Sequence, residues 1–294
     1  MEKKSPLMIR FPSQIPPVYT AYFPPERGSF TIIDHEAWSL ENKALDQRNM
    51  FLVNPPSLVL KHLLDKFQNP KNITLIYDHL PEEKEEKLFH SFRIIVPSLY
   101  FYYLFRQQAE EVELTHPLPV KSQKDAQARK EARKYLMLKN EVCLWIDDRL
   151  ISPRYRKGLL LVVSKLQSQH PDLKVVRVSQ KREDPVHPVR MLSSEEADAK
   201  KLWLAGDVLV TLGSRSQSMV PVHIQCLANQ LAVITDDQGD HGEWVNHSLT
   251  GFLLSQKGMF QELRRYLLRL LHRRDMLQNF QRNGPLLIEK VLNR

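Results

Sequence analysis

The chain has 294 residues, 42% of them hydrophobic and 26% charged, with a formal net charge of +8. That length allows two domains with a buried core each, and the composition excludes a disordered chain or one built to live inside a membrane. The positive balance suits an anionic partner, such as nucleic acid, an anionic membrane surface or a phosphorylated small ligand.

No RRM, zinc-finger or helix-turn-helix signature accompanies the charge, so nucleic acid is not expected. The apolar run Leu159 to Val163 is far too short to span a bilayer, and the basic tip MEKKSPLMIRFPS has no apolar stretch behind it. A cytoplasmic protein is expected. The two cysteines, Cys143 and Cys226, each lie in an apolar segment and read as buried free thiols; no Cys/His spacing suggests zinc, and no metal is expected.

Taken in order, residues 1–28 hold six prolines and no clear period, and read as an extended N-terminal segment. Residues 29–120 read as a reduced α/β domain. Its strands are Phe30–Ile33, Met50–Val53, Ile73–Tyr77 and Arg93–Val96, with helices over Pro56–Phe67 and Pro81–Phe89. Gly28 is the only glycine before Gly158, so this domain lacks the glycine-rich turn that brings backbone N–H groups to a phosphate.

Residues 121–139, with the run KDAQARKEARK, read as a charged linker whose helix is solvated. A second domain, 140–275, opens with the strand Val142–Ile146, a helix over Leu160–Leu166 and a strand after Pro171-Asp172-Leu173. A strand Val189–Leu192 follows, then a helix Ser194–Leu204 capped by Ser193 or Ser194, with Glu195 and Glu196 in its first turn. The strands Val208–Leu212, Leu231–Ile234 and Phe252–Leu254 then alternate with a helix over Val222–Asn229, the period switch of βαβ units and a parallel sheet. Met259–Leu271 is amphipathic, with Phe260, Leu263, Leu267 and Leu270 on one face and arginines elsewhere. Such a helix can lie on a membrane surface or face a core. A last helix, within 276–294, closes the chain.

Two stretches resemble the group 1, or family 4, glycosyltransferases of the GT-B fold. Their first pattern, vGRlxxxKGxxxLixA, is matched by Arg149 for the Arg and Lys157-Gly158 for the KG. Their second, aDvxvxPSxxEgfGxxxxEAxAxGxPVI through tGfL, is matched by Gly206-Asp207-Val208, Gly213-Ser214, Gln225-Cys226-Leu227-Ala228, Ala232-Val233-Ile234, Glu243 and Thr250-Gly251-Phe252-Leu253. The resemblance implies an α/β fold of two Rossmann-like domains with parallel sheets flanked by helices, the first domain reduced. It also implies a final helix that crosses back to the first domain.

The resemblance further implies transfer of a sugar from a nucleotide-diphosphate sugar, with retention, to a glycan, lipid or protein acceptor. The nucleotide sugar is a co-substrate and no separate cofactor is implied. Arg149 and Lys157 take the places that hold the donor diphosphate, where cationic groups neutralise charge on the leaving group. Asp78-His79 takes the place of a family histidine near the acceptor. Peripheral contact with an inner membrane surface stays open beside a core-facing role for the amphipathic helix.

The family's two glutamates fall on Gln217 and Gln225, eight residues apart. The first addresses the donor sugar and the second the ribose, so Gln217 takes a catalytic place and Gln225 a donor-binding one. Ser218, Met219 and Val220 replace the glycine-rich EGFG, and with Glu243 complete the donor-binding positions. An amide accepts a hydrogen bond but carries no charge. A catalytically inactive protein that binds a glycan or a partner is therefore the alternative.

Overall fold

The computed structural model describes residues 7–10, 31–34, 50–53, 55, 59–60, 73–77, 89, 92–109, 111–114, 126–179, 189–213 and 217–292. The chain divides into two compact units. One comprises residues 1–14, 22–117 and 216–218, the other 15–21, 118–215 and 219–294. Among the described residues, no helix is long and apolar enough to cross a membrane.

The first unit is built on a parallel six-stranded sheet in the order β2-β1-β3-β4-β5-β6. Its strands are β1 (Leu7–Arg10), β2 (Thr31–Asp34), β3 (Met50–Val53), β4 (Ile73–Ile76), β5 (Arg93–Val96) and β6 (Glu111–Leu114). The strand order reverses at β1, which lies between β2 and β3, as in doubly wound folds. Leu7–Arg10 was expected to be lead-in; its LMIR run is short enough to be hidden among the prolines, yet it pairs on both edges. The core gathers Leu52, Leu75, Ile94, Val96 and Phe101 around the rings of Tyr77, Phe89 and Phe105. Tyr77 stacks on Phe105 with centroids 5.2 Å apart, and its hydroxyl donates to the Pro55 carbonyl at 3.2 Å. Helix α1 (Leu99–Phe105) is capped by Ser98, whose hydroxyl accepts from the Phe101 N–H. Most of the two helices expected between β3 and β5, and Asp78-His79, lie outside the described residues.

The second unit carries another parallel six-stranded sheet, ordered β12-β11-β10-β7-β8-β9. The strands are β7 (Val142–Ile151), β8 (Leu173–Ser179), β9 (Arg190–Ser193), β10 (Val208–Leu212), β11 (Ala232–Asp236) and β12 (Gly251–Leu254). Numbered from its own first strand this is the 3-2-1-4-5-6 order, with the reversal between β7 and β10. Strands β7, β10 and β11 are almost continuously buried, as a parallel sheet covered on both faces requires. One face is covered by α3 (Pro153–Gln169) and α6 (Met259–His272), through Leu159, Val163, Leu263, Leu267 and Leu270. The other is covered by α2 (Ala126–Tyr135), α4 (Ser194–Ala199), α5 (Val220–Ala228) and the far end of α7 (Arg274–Leu292).

The charged stretch expected to be solvated forms α2, and that helix is docked. Ala132 and Leu136 are buried in the core, Arg129 donates to the Leu204 and Gly206 carbonyls, and Arg133 donates to the Ala205 carbonyl. Both arginines also grip Asp207, at 2.6 and 3.0 Å. The charged run conceals this, because the acceptors come from a turn some seventy residues onward.

Candidate functional site

In doubly wound sheets, ligands bind beyond the carboxyl ends of the strands, where the order reverses. In the second unit that place is the end of β7 and of β10. Here β7 is irregular: between the pairs Ile146–Val210 and Ile151–Leu212, β10 advances two residues and β7 five. The surplus carries Asp147, Asp148 and Arg149 out of register with β10, while Asp147 still pairs with Val178 of β8, so three charged residues enter a strand that the sequence pattern ended at Ile146.

Their charges are matched. The Arg149 guanidinium donates to Asp147 through Nε and Nη2, at 2.9 and 2.7 Å, and to Asp198 of α4 through Nη1 and Nη2, at 2.6 and 2.8 Å. Burial works against the guanidinium's charge, but its hydrogen bonds to Asp198 and Asp147 outweigh it and hold its pKa above the ordinary value. Burial pushes the Asp147 carboxyl upward against the pull of Arg149. Asp148 receives the buried Arg177, at 2.9 and 2.6 Å, with Arg156 beside it at 3.8 Å.

Helix α3 begins directly after β7. Ser152 precedes it without a side-chain capping bond, Pro153 occupies the first turn, and no acidic residue stands there. The turn instead presents Arg154, Arg156 and Lys157, adding formal charge to the positive end of the helix dipole. Lys157 is exposed, and no ion pair involving it occurs among the described residues.

The ends of β10 and β11 add a buried polar network. Asp236, the last residue of β11, hydrogen-bonds His241 Nδ1. Asp236 also accepts from Gln238 Nε2 at 3.2 Å; the same amide reaches the Tyr155 hydroxyl at 2.9 Å, and its oxygen accepts from Arg154 at 3.1 Å. The Met219 N–H donates to Asp240 at 3.0 Å, fixing the start of α5 to this loop. Gly213 is squeezed here: a Cβ on it would lie 2.3 Å from Met219 Cε and 3.0 Å from His241 Cε1. His223 of α5 meets Thr211 Oγ1 through Nε2 at 2.9 Å. Burial, reinforced by the nearby His241, lowers its pKa to about 3, so this imidazole stays neutral.

The residues expected from the sequence are placed as follows. Met219 and Val220 are buried at the start of α5, beside Gly213 and the Asp240 loop. Gln217 and Ser218 are buried just before it, and among the described residues no hydrogen-bond acceptor reaches the Gln217 amide nitrogen. Gln225 is buried within α5, its backbone carbonyl accepting from Asn229. Glu243 is exposed on the loop after β11, its N–H donating to the Asp240 carbonyl at 3.0 Å. Asp236, Gln238 and His241 were not singled out, although the run DDQGDH directly follows a buried parallel strand, and that position is the signal. Among the described residues no acid, His or Cys cluster could hold a metal ion. Both thiols are free and buried, and burial pushes that of Cys143 up to about 12.

A groove of about 760 Å³ lies at the opposite, amino edge of this sheet, lined by Arg129, Arg133, Lys139, Asp207, Arg274 and Gln281. Its arginines 129 and 133 are already committed to Asp207 and to carbonyls, and it lies away from the strand ends where such sheets take ligands.

No protein-family model and no curated protein sequence matches the chain. Solved structures do. The Anabaena protein Alr3699/HepE, crystallised with UDP and glucose, superposes with a TM-score of 0.69 at 12% identity, covering 98% of this chain and 95% of that one. WaaG, a glycosyltransferase involved in lipopolysaccharide biosynthesis, gives 0.62 at 12% identity over 88% and 82%. A glycosyltransferase from Rickettsia africae gives 0.62 at 13% identity over 98% and 94%. The chain thus has the GT-B fold, with two Rossmann-like α/β units and a short first one, as the motifs implied.

Proposed function

We propose that the protein binds a nucleotide-diphosphate sugar at the carboxyl edge of the second unit's sheet and transfers its sugar, with retention, to a glycan, lipid or protein acceptor. The observation that carries this reading is the first turn of α3. It stands at the strand-order reversal, free of carboxylates, with Lys157 exposed near the start of the helix that follows β7. Structures crystallised with UDP or UDP-glucose share the fold over 95% of their own length, which adds support.

Lys157 is assigned to the diphosphate. Arg149 is assigned to positioning: with four of its five N–H groups on Asp147 and Asp198, it braces the bulge from which α3 starts. Gln217 is assigned to the donor sugar, with Ser218, Met219, Val220, Gln225 and Glu243 around the nucleotide.

The test is calorimetric titration of a panel of nucleoside diphosphates and their sugars. Binding of at least one, weakened in Lys157→Ala, is the expected result; absence of binding by the wild type to every member would sink the reading.

A second reading is a protein that keeps the fold without the chemistry. It is favoured by the neutral Gln217 and the commitment of Arg149 to carboxylates, which leave little preorganised charge for a departing diphosphate. Donor hydrolysis decides between the two: turnover by the wild type supports the enzyme, and turnover that emerges only in Gln217→Glu supports the inactive form.

A further inference from the structure

Helices α3 and α6 run side by side over one face of the second sheet, with Tyr155 against Phe260 at 6.5 Å and His170 against His272 at 5.8 Å between ring centroids. Their inner rows fill the core. Their outer rows are basic. On α3 the exposed positions include Lys157, Leu161 and Lys165, each four residues apart, and on α6 Arg264, Arg265 and Arg269. Glu262 is the acid of α6 and is taken by Arg265 at 3.3 Å. No carboxylate pairs with Lys165, Arg264 or Arg269 among the described residues. Leu161 is 67% exposed in the middle of its row.

We propose that this outer face of α3 and α6 docks on a membrane surface carrying anionic lipid headgroups. Unpaired cations on two adjacent helices supply charge complementary to such a surface, where each basic residue near the headgroups strengthens binding and salt weakens it. Leu161 decides between the anionic partners. Set between two lysines with apolar stems, it matches the headgroup–acyl boundary, whereas a nucleic acid would gain nothing from it and no exposed aromatic ring on these rows offers a base a stacking platform. The inference stands apart from the donor site, and Lys157, which that site uses, is left out of its test.

The test is co-sedimentation at physiological salt with vesicles of phosphatidylcholine alone and of phosphatidylcholine with equimolar phosphatidylglycerol. The wild type is expected to bind only the second. The surface double variant Arg264→Glu/Arg269→Glu is expected to lose about tenfold or more in partitioning, and Leu161→Asn severalfold, with nucleotide titrations unchanged in both. No binding to anionic vesicles, equal binding to neutral ones, or undiminished binding by the double variant would overturn the proposal. So would release from vesicles by short duplex DNA at equal phosphate concentration, which would assign the face to nucleic acid.

Discussion

At the scale of single residues, the proposed reading makes Arg149 a structural cation, held by Asp147 and Asp198, and Lys157 a ligand-facing one. Truncating Arg149 leaves the fully buried Asp147 without its partner, a loss of about 3–5 kcal/mol for a broken buried pair. Arg149→Ala is therefore expected to lower the urea midpoint sharply. Lys157→Ala removes an exposed side chain and is expected to leave the midpoint in place while weakening nucleotide binding by about 1.5–3 kcal/mol, the range of a charged hydrogen bond. Motif spacing located both residues. It was silent on Asp198, forty-nine positions away, which commits Arg149 to carboxylates.

His223 gives a pH prediction. Its folded pKa, about 3, lies below the unfolded value of about 6.5. Between these the unfolded chain binds a proton that the folded one refuses, so stability falls as pH drops from about 6.5 toward 3, by about 1.4 kcal/mol per unit for this group. Urea unfolding of the wild type and of His223→Gln at several pH values is expected to show a shallower acid loss in the variant. Parallel slopes would mean that His223 is protonated in the folded protein.

At the scale of elements, legibility followed burial. Strands β10, β11 and β12 were readable because each is an apolar run bounded by polar turns. The extension of β7 past Ile146 was not, because Asp147, Asp148 and Arg149 are charged, and the partners that match those charges, Arg177 and Asp198, are remote in sequence. Helix α2 was read as solvated for the same reason, its anchoring acid Asp207 being remote in sequence. Helix α7 contains Gly284 and Pro285, a pair that reads as a break. The structure keeps the helix and uses the glycine for approach: a Cβ there would lie 2.7 Å from the Leu227 carbonyl oxygen of α5. Gly284→Val is expected to push α7 from α5 and destabilise the protein by about 1–3 kcal/mol or more, read as a drop in Tm. An unchanged Tm would show that the two helices are not held at this point.

At the scale of the whole molecule, each unit carries one parallel sheet whose strand order reverses, and the carboxyl edge of the second is where the proposed reading puts the donor. The motifs disclosed that architecture because order and spacing survive where identities do not. The first unit was less legible, since much of its sheet is made of four-residue strands with little periodicity to read. A ligand that binds only the folded second unit adds about 2.7 kcal/mol at a hundredfold excess over its Kd. Its thermal transition is expected to rise with donor concentration.

The most direct test is a crystal structure of the protein with the nucleoside diphosphate sugar that binds it best. The diphosphate is expected at the first turn of α3, within hydrogen-bonding reach of Lys157, with the sugar toward Gly213 and Met219. A nucleotide found instead in the amino-edge groove of Arg133, Lys139 and Arg274 would contradict the assignment of the donor site.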